Sequence, residues 1–172
     1  MIDIPRLAFI EAQIIHRAAR AGALKPFVRD VELQYKAEHG TLGTGVFLET
    51  RILGLLYFLI LVPKELWGLD SSYQIYTRLE NSFPMSDVTV TVDESRYSGQ
   101  LYKFVHHLRN ALGHVRFKFE AGSFEFWDWD PRAKVEPYRA IIQLPKLISF
   151  LEVVGSDLAN YGSWPQTIEE KI

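Results

Sequence analysis

The 172-residue chain contains no cysteine, which excludes disulfides, thiolate metal sites and a cysteine nucleophile. Neither charge is in excess: 19 Lys and Arg against 21 Asp and Glu leave a net charge of −2. A protein held to nucleic acid by bulk charge would be far more basic, so any polyanion site must be a local patch. Long hydrophobic runs are also missing. The longest, Ile52 to Val62, is about half of the roughly 20 residues that a membrane-spanning helix requires, and it predicts a buried core helix. The first residues show no basic segment followed by an apolar stretch, so a cytoplasmic protein with no membrane association is expected.

What is present suits an ordinary globular domain. Apolar residues make up 48% and charged residues 23%, which rules out disordered and collagen-like chains. The length predicts a single domain over residues 1–172. Apolar residues recur at three- and four-residue steps over Pro5–Ala21, a predicted helix; the less regular Leu24–Glu38, the apolar Val46–Val62 and a segment from Pro63 to about Asn81 are read as three more. The Gly40–Gly45 stretch between them lacks the Lys-Ser/Thr ending of a phosphate-binding loop and reads as a connector. Val88–Val92 has strand composition without an evident partner. Ser98 suits the N-cap of a helix running through His114. The period then changes to two. Val115–Glu120, the Ala121-Gly122 turn and Ser123–Trp129 form a hairpin signature. Asp130-Pro131 breaks it, Tyr138–Gln143 suits a third strand, and Pro145–Tyr161 a last helix. The expected fold is mainly α, a helical bundle with a small antiparallel hairpin or three-stranded sheet after the helix that ends at His114.

The chemistry concentrates in Leu101–His114. At about 100° per residue, Leu101, Phe104, Val105, Leu108 and Leu112 form one apolar stripe. His107, Asn110 and His114 share the opposite face with Lys103, while Tyr102, His106 and Arg109 lie along one flank. No residue of that polar face is a carboxylate, and Arg116 and Lys118 follow it. Excess positive charge with imidazoles suits a phosphate diester, and it also suits water. The plain reading is a solvated helix face whose cations answer the C-terminal dipole. The functional reading is a general acid/base His beside an Arg that stabilises a transition state. Adjacent His106 and His107 cannot face one metal, and no metal or other cofactor is expected. Asp128-Trp-Asp130 reads as a strand ending in a turn, and the aromatics Phe117, Phe119, Phe124, Phe126, Trp127 and Trp129 as core or partner-facing side chains.

Arg109-Asn110-Ala-Leu-Gly-His114 resembles the R-x(4–6)-H signature of the HEPN superfamily (higher eukaryote and prokaryote nucleotide-binding domains), in its R-N-x-x-x-H form. The hairpin and final helix after it are similar to a plasmid- and defence-associated bacterial branch. The resemblance implies a metal-independent endoribonuclease acting as a homodimer, with motifs of both subunits facing one cleft, in a toxin or anti-phage role with an antitoxin protein as a candidate partner. It implies His114 as acid/base, Arg109 as phosphate stabiliser and Asn110 as the group that orients the His or the scissile phosphate. Lys103, His106, His107, Arg116 and Lys118 would then bind RNA. The branch controlled by nucleotidyltransferase antitoxins often carries Tyr two residues after the His; here Arg116 stands there, so the resemblance does not extend to control by modification at that position. The alternative implied by the same resemblance is a non-catalytic dimeric module that binds RNA, a nucleotide or a protein.

Overall fold

The computed structural model describes residues 4–34, 44–61, 74–94, 97 and 99–161. Its helices are α1 (Ile4–Arg20), α2 (Lys25–Gln34), α3 (Thr44–Leu56), α4 (Gln74–Ser82), α5 (Gln100–Gly113) and α6 (Leu144–Tyr161). Its strands are β1 (Val88–Asp93), β2 (Phe117–Glu120), β3 (Ser123–Asp130) and β4 (Val135–Gln143). The Gly40–Gly43 part of the expected connector, the 63–73 part of the predicted fourth helix and Ser98 lie outside the described residues. The N-cap position of α5 is instead Gly99, at φ 82, a conformation that glycine adopts without a Cβ penalty.

The sheet is larger than the alternation after His114 predicts. Four strands pair antiparallel in the order β1-β4-β3-β2, and the fourth is the Val88–Val92 segment, paired with β4 from Val88↔Ile142 to Asp93↔Tyr138. Its partner lies about fifty residues downstream, beyond the reach of local pattern reading. Because β1 and β2 form opposite edges, the helix that joins them must cross the sheet. That helix is α5, and it packs against β3 on one side and the apolar α3 extension on the other.

Apolar spacing explains the packing. On α6, Leu147, Phe150, Leu151, Val154 and Leu158 are buried, the three- and four-residue steps of one helix face. The apolar run after Ile52 continues α3 as a single π-helical turn, Tyr57–Leu61, that buries Leu59 and Ile60. The expected stripe of α5 is buried in full, with Ala111 added to it. Phe104 joins the layers: its ring meets Phe126 of β3 at 5.5 Å and Phe150 of α6 at 5.3 Å. The α1–α6 contact is close, since a Cβ at Gly155 would overlap the Phe9 ring. Among the described residues no helix is long and apolar enough to cross a membrane.

Candidate functional site

The middle of the polar face of α5, at His107 and Asn110, is covered by the end of β3. Alternation along β3 turns Phe124, Phe126 and Asp128 to the same, buried face, and the third of these is a carboxylate. Asp128 Oδ2 lies 2.8 Å from His107 Nδ1 and accepts a 2.8 Å hydrogen bond from Asn110 Nδ2. Asp128 Oδ1 accepts from the Trp129 backbone N–H at 2.8 Å, and the Arg116 guanidinium is 3.8 Å from it. Burial alone would raise the Asp128 carboxyl, but the hydrogen bonds from His107, Asn110 and the Trp129 N–H outweigh it and hold the group at about 2. Asp128 is therefore ionised at neutral pH. An ionised carboxylate only accepts, so His107 presents Nδ1–H to it.

This corrects the placement of His107. The helical wheel puts it on a solvent-facing surface, whereas it is 2% exposed and its ring stacks on Tyr138 at 4.6 Å. An RNA strand cannot reach it. The wheel was right about the angle and wrong about the neighbour: the sheet occupies the side of α5 that a lone helix would show to water. A polar face without a carboxylate of its own also acquires two from strands. Besides Asp128, Asp93 at the end of β1 pairs with Lys103 at 2.6 Å.

The other expected residues fall into two groups. Arg109 and Asn110 are half-buried together, with Arg109 Nη1 donating to Asn110 Oδ1 at 2.9 Å. His114 is exposed at the C-cap of α5, where its backbone N–H bonds the Asn110 carbonyl. Arg116 follows, half-buried, and donates to the Trp129 carbonyl at 2.8 Å. His106 lies apart, half-buried, with its ring 4.2 Å from that of Tyr97 and 5.8 Å from that of Tyr102. Lys118 lies on the other face of the sheet, 2.6 Å from Glu120 and 3.0 Å from Glu125, which raise its ammonium.

The corner that carries His114 is strained. Arg116 N–H bonds the Ala111 carbonyl and Val115 N–H the Leu112 carbonyl, the paired bonds of a Schellman cap. That cap needs a left-handed residue, and here it is Val115, at φ 54. A β-branched residue there is an outlier. Tyr57 Oη also donates to the Leu112 carbonyl at 3.1 Å, so the π-helical turn buttresses the same corner.

Among the remaining candidates, Asp130 caps the β3–β4 turn by accepting from the Arg132 and Ala133 N–H groups. Phe124 and Phe126 are fully buried, and Phe117 and Phe119 pack against the core. No group of three or more His, Asp or Glu side chains among the described residues could hold a metal ion.

A helical domain with a four-stranded sheet, in which a crossing helix ends in Arg, Asn and an exposed His, is the class of protein that this geometry defines. The family model HEPN pEK499 p136 matches residues 7–163, and the chain belongs to that family. HEPN membership points to a nucleotide- or RNA-related function. No curated protein and no solved structure matches the chain.

Proposed function

We propose that the protein is a metal-independent endoribonuclease whose cleft is completed by a second copy of the chain. The observation that carries this reading is the end of α5, where a half-buried Arg109 is hydrogen-bonded to Asn110 and an exposed imidazole stands at the C-cap. In the reaction a ribose 2′-hydroxyl attacks the adjacent phosphorus and the 5′-oxygen leaves, giving a 2′,3′-cyclic phosphate and a 5′-hydroxyl. His114 moves the proton, and the Arg109 guanidinium stabilises the charge that develops on the phosphoryl oxygens. Asn110 steadies that guanidinium. Five residues separate Arg109 from His114, about 140° around an ideal helix, so one copy presents them in diverging directions. Two copies related by a twofold axis would supply Arg and His from opposite sides of one phosphate.

The test is cleavage of single-stranded RNA by the purified chain in excess chelator, read as cyclic-phosphate product. His114→Ala is expected to lose about 10²–10⁴-fold in rate and at most about 1 kcal/mol in stability. Arg109→Lys rescues poorly, because a point charge does not replace a planar two-pronged donor. Mixing the His114→Ala and Arg109→Ala proteins restores one working cleft if the residues act across subunits, and nothing if they act within one. Wild-type cleavage by His114→Ala overturns the reading. A toxin or anti-phage role predicts growth arrest on expression without an antitoxin protein, abolished by His114→Ala.

Of the silent alternatives, an RNA-, nucleotide- or protein-binding dimer, the contacts favour the protein-binding one: carboxylates neutralise Lys103 and Lys118, and Asp128 lies near Arg116. A dimer that neither cleaves nor binds RNA would select it, and RNA binding without cleavage would select the RNA-binding form.

A further inference from the structure

Asp128 touches more of the motif's surroundings than its place in a strand requires. A hydrophobic residue continuing the Phe124–Phe126 face would pack the sheet without the desolvation that a carboxylate incurs. We propose that Asp128 is the positioning residue of the motif, setting Arg109 through Asn110 and the His114 corner through Arg116. The catalytic consequence rests on the ribonuclease reading; the positioning itself rests on hydrogen-bond geometry.

The first arm follows from donor and acceptor counting. A carboxylate has no proton to offer, so only the Nδ2 end of Asn110 can face it. The carboxamide is thereby locked with Oδ1 pointing away, onto Arg109 Nη1 at 2.9 Å. With an amide or a protonated acid at position 128 either end of Asn110 would be acceptable, and the Arg109 contact would lose its fixed acceptor. The second arm runs through the other oxygen. Oδ1 accepts the Trp129 N–H and faces Arg116, whose guanidinium also bonds the Trp129 carbonyl. Arg116 N–H closes the Schellman cap around His114 and Val115. The corner is thus tethered to β3 from outside and to Ala111 from within. His107 supplies the remaining constraint: its Nδ1–H faces Oδ2, and its stacking on Tyr138 holds that donor in place.

The experiment compares the full wild-type chain with Asp128→Asn, which keeps size and shape and removes the charge. A misplacement of about 1 Å can cost about 100-fold, so kcat on single-stranded RNA is expected to fall by about that factor while KM moves less than about threefold. Nitrogen-edited NMR reads the geometry without relying on activity: the Arg109 Nε–H and Asn110 side-chain amide signals should shift or broaden in the variant. Asp157→Asn, a buried-carboxylate change elsewhere, serves as the stability control and should leave kcat per folded molecule unchanged. Equal kcat losses in both variants would reduce Asp128 to a structural role and overturn the proposal. A wild-type chain that cleaves no RNA defeats the ribonuclease reading alone; unchanged Arg109 and Asn110 signals in folded Asp128→Asn defeat the positioning role. Should Asp128→Asn not fold, the wild type decides. Slow solvent exchange of the Asn110 amide protons supports the locked carboxamide, and exchange at the rate of an exposed amide overturns it.

Discussion

Asp128 on β3 and Asp157 on α6 are buried to nearly the same degree, yet they are held in opposite ways. Asp157 presents both oxygens to one cation: Arg78 Nε donates to Oδ1 at 2.6 Å and Arg78 Nη2 to Oδ2 at 2.8 Å. This two-pronged pair ties α4 to α6. Asp128 divides its oxygens among an imidazole, a carboxamide, a backbone N–H and a more distant guanidinium. A carboxylate matched charge for charge closes a gap between two helices. One matched mostly by oriented dipoles fixes which way those dipoles point, and its neighbours then carry that orientation onward. The difference separates a clamp from a hub.

The largest effect expected from breaking the comparison is at the clamp. Removing one partner of a buried pair typically costs about 3–5 kcal/mol. The Arg78 side chain is 30% exposed, so water answers part of its charge, and Asp157→Asn should cost about 2–3 kcal/mol in denaturant unfolding. RNA cleavage per folded molecule should not change. A fall in kcat matching that of Asp128→Asn would erase the distinction between the two carboxylates.

The next effect is the pH dependence of the hub. The Asp128 carboxyl is held at about 2, below the ordinary value of about 3.9 that it regains on unfolding. The folded state therefore binds this proton less readily. Its contribution, on the order of 2 kcal/mol, is complete above about pH 4 and disappears as pH falls from about 4 through about 2. Unfolding midpoints measured across that window should drop more steeply for wild type than for Asp128→Asn. Parallel curves would show that Asp128 does not titrate as the hub geometry requires.

How much of this was legible in the sequence depends on how local the cause was. Alternation and turn chemistry placed the β2–β3 hairpin at Ala121-Gly122, where both residues have positive φ (47 and 79), as a two-residue hairpin turn demands. The three- and four-residue spacing of α5 likewise located its buried stripe. The pairing of β1 was not legible, because nothing near Val88–Val92 identifies β4. His107 failed for a related reason: helical periodicity assigns an angle but cannot say whether a sheet or water lies there. Asp128 left a readable signal. In Phe124-x-Phe126-x-Asp128 the inward register of a strand continues into a carboxylate, and a buried carboxylate must find donors. The donors were the polar residues of α5, already singled out for another reason.

The smallest predicted effect concerns the corner that the hub holds. Val115 occupies the left-handed position of the Schellman cap at φ 54, while the residue is 71% exposed. A non-glycine residue in that conformation costs about 1–2 kcal/mol, against about 0.5–1 kcal/mol for the extra chain entropy of glycine. Little burial is lost with the side chain, and both cap hydrogen bonds are backbone bonds that glycine retains. Val115→Gly should therefore stabilise the chain by up to about 1 kcal/mol, a rise in Tm of about 2–4 °C for a domain of this size. Because Arg116 and Asp128 still tether the corner, cleavage should stay within about threefold of wild type, in contrast to Asp128→Asn. A loss of stability instead would mean that the Val115 side chain is covered in solution, and the twofold partner proposed beside His114 is the surface that would cover it. Sedimentation of Val115→Gly at micromolar concentration separates the two outcomes: a dimer of unchanged affinity leaves strain relief as the only effect, and a weakened dimer puts Val115 in the interface.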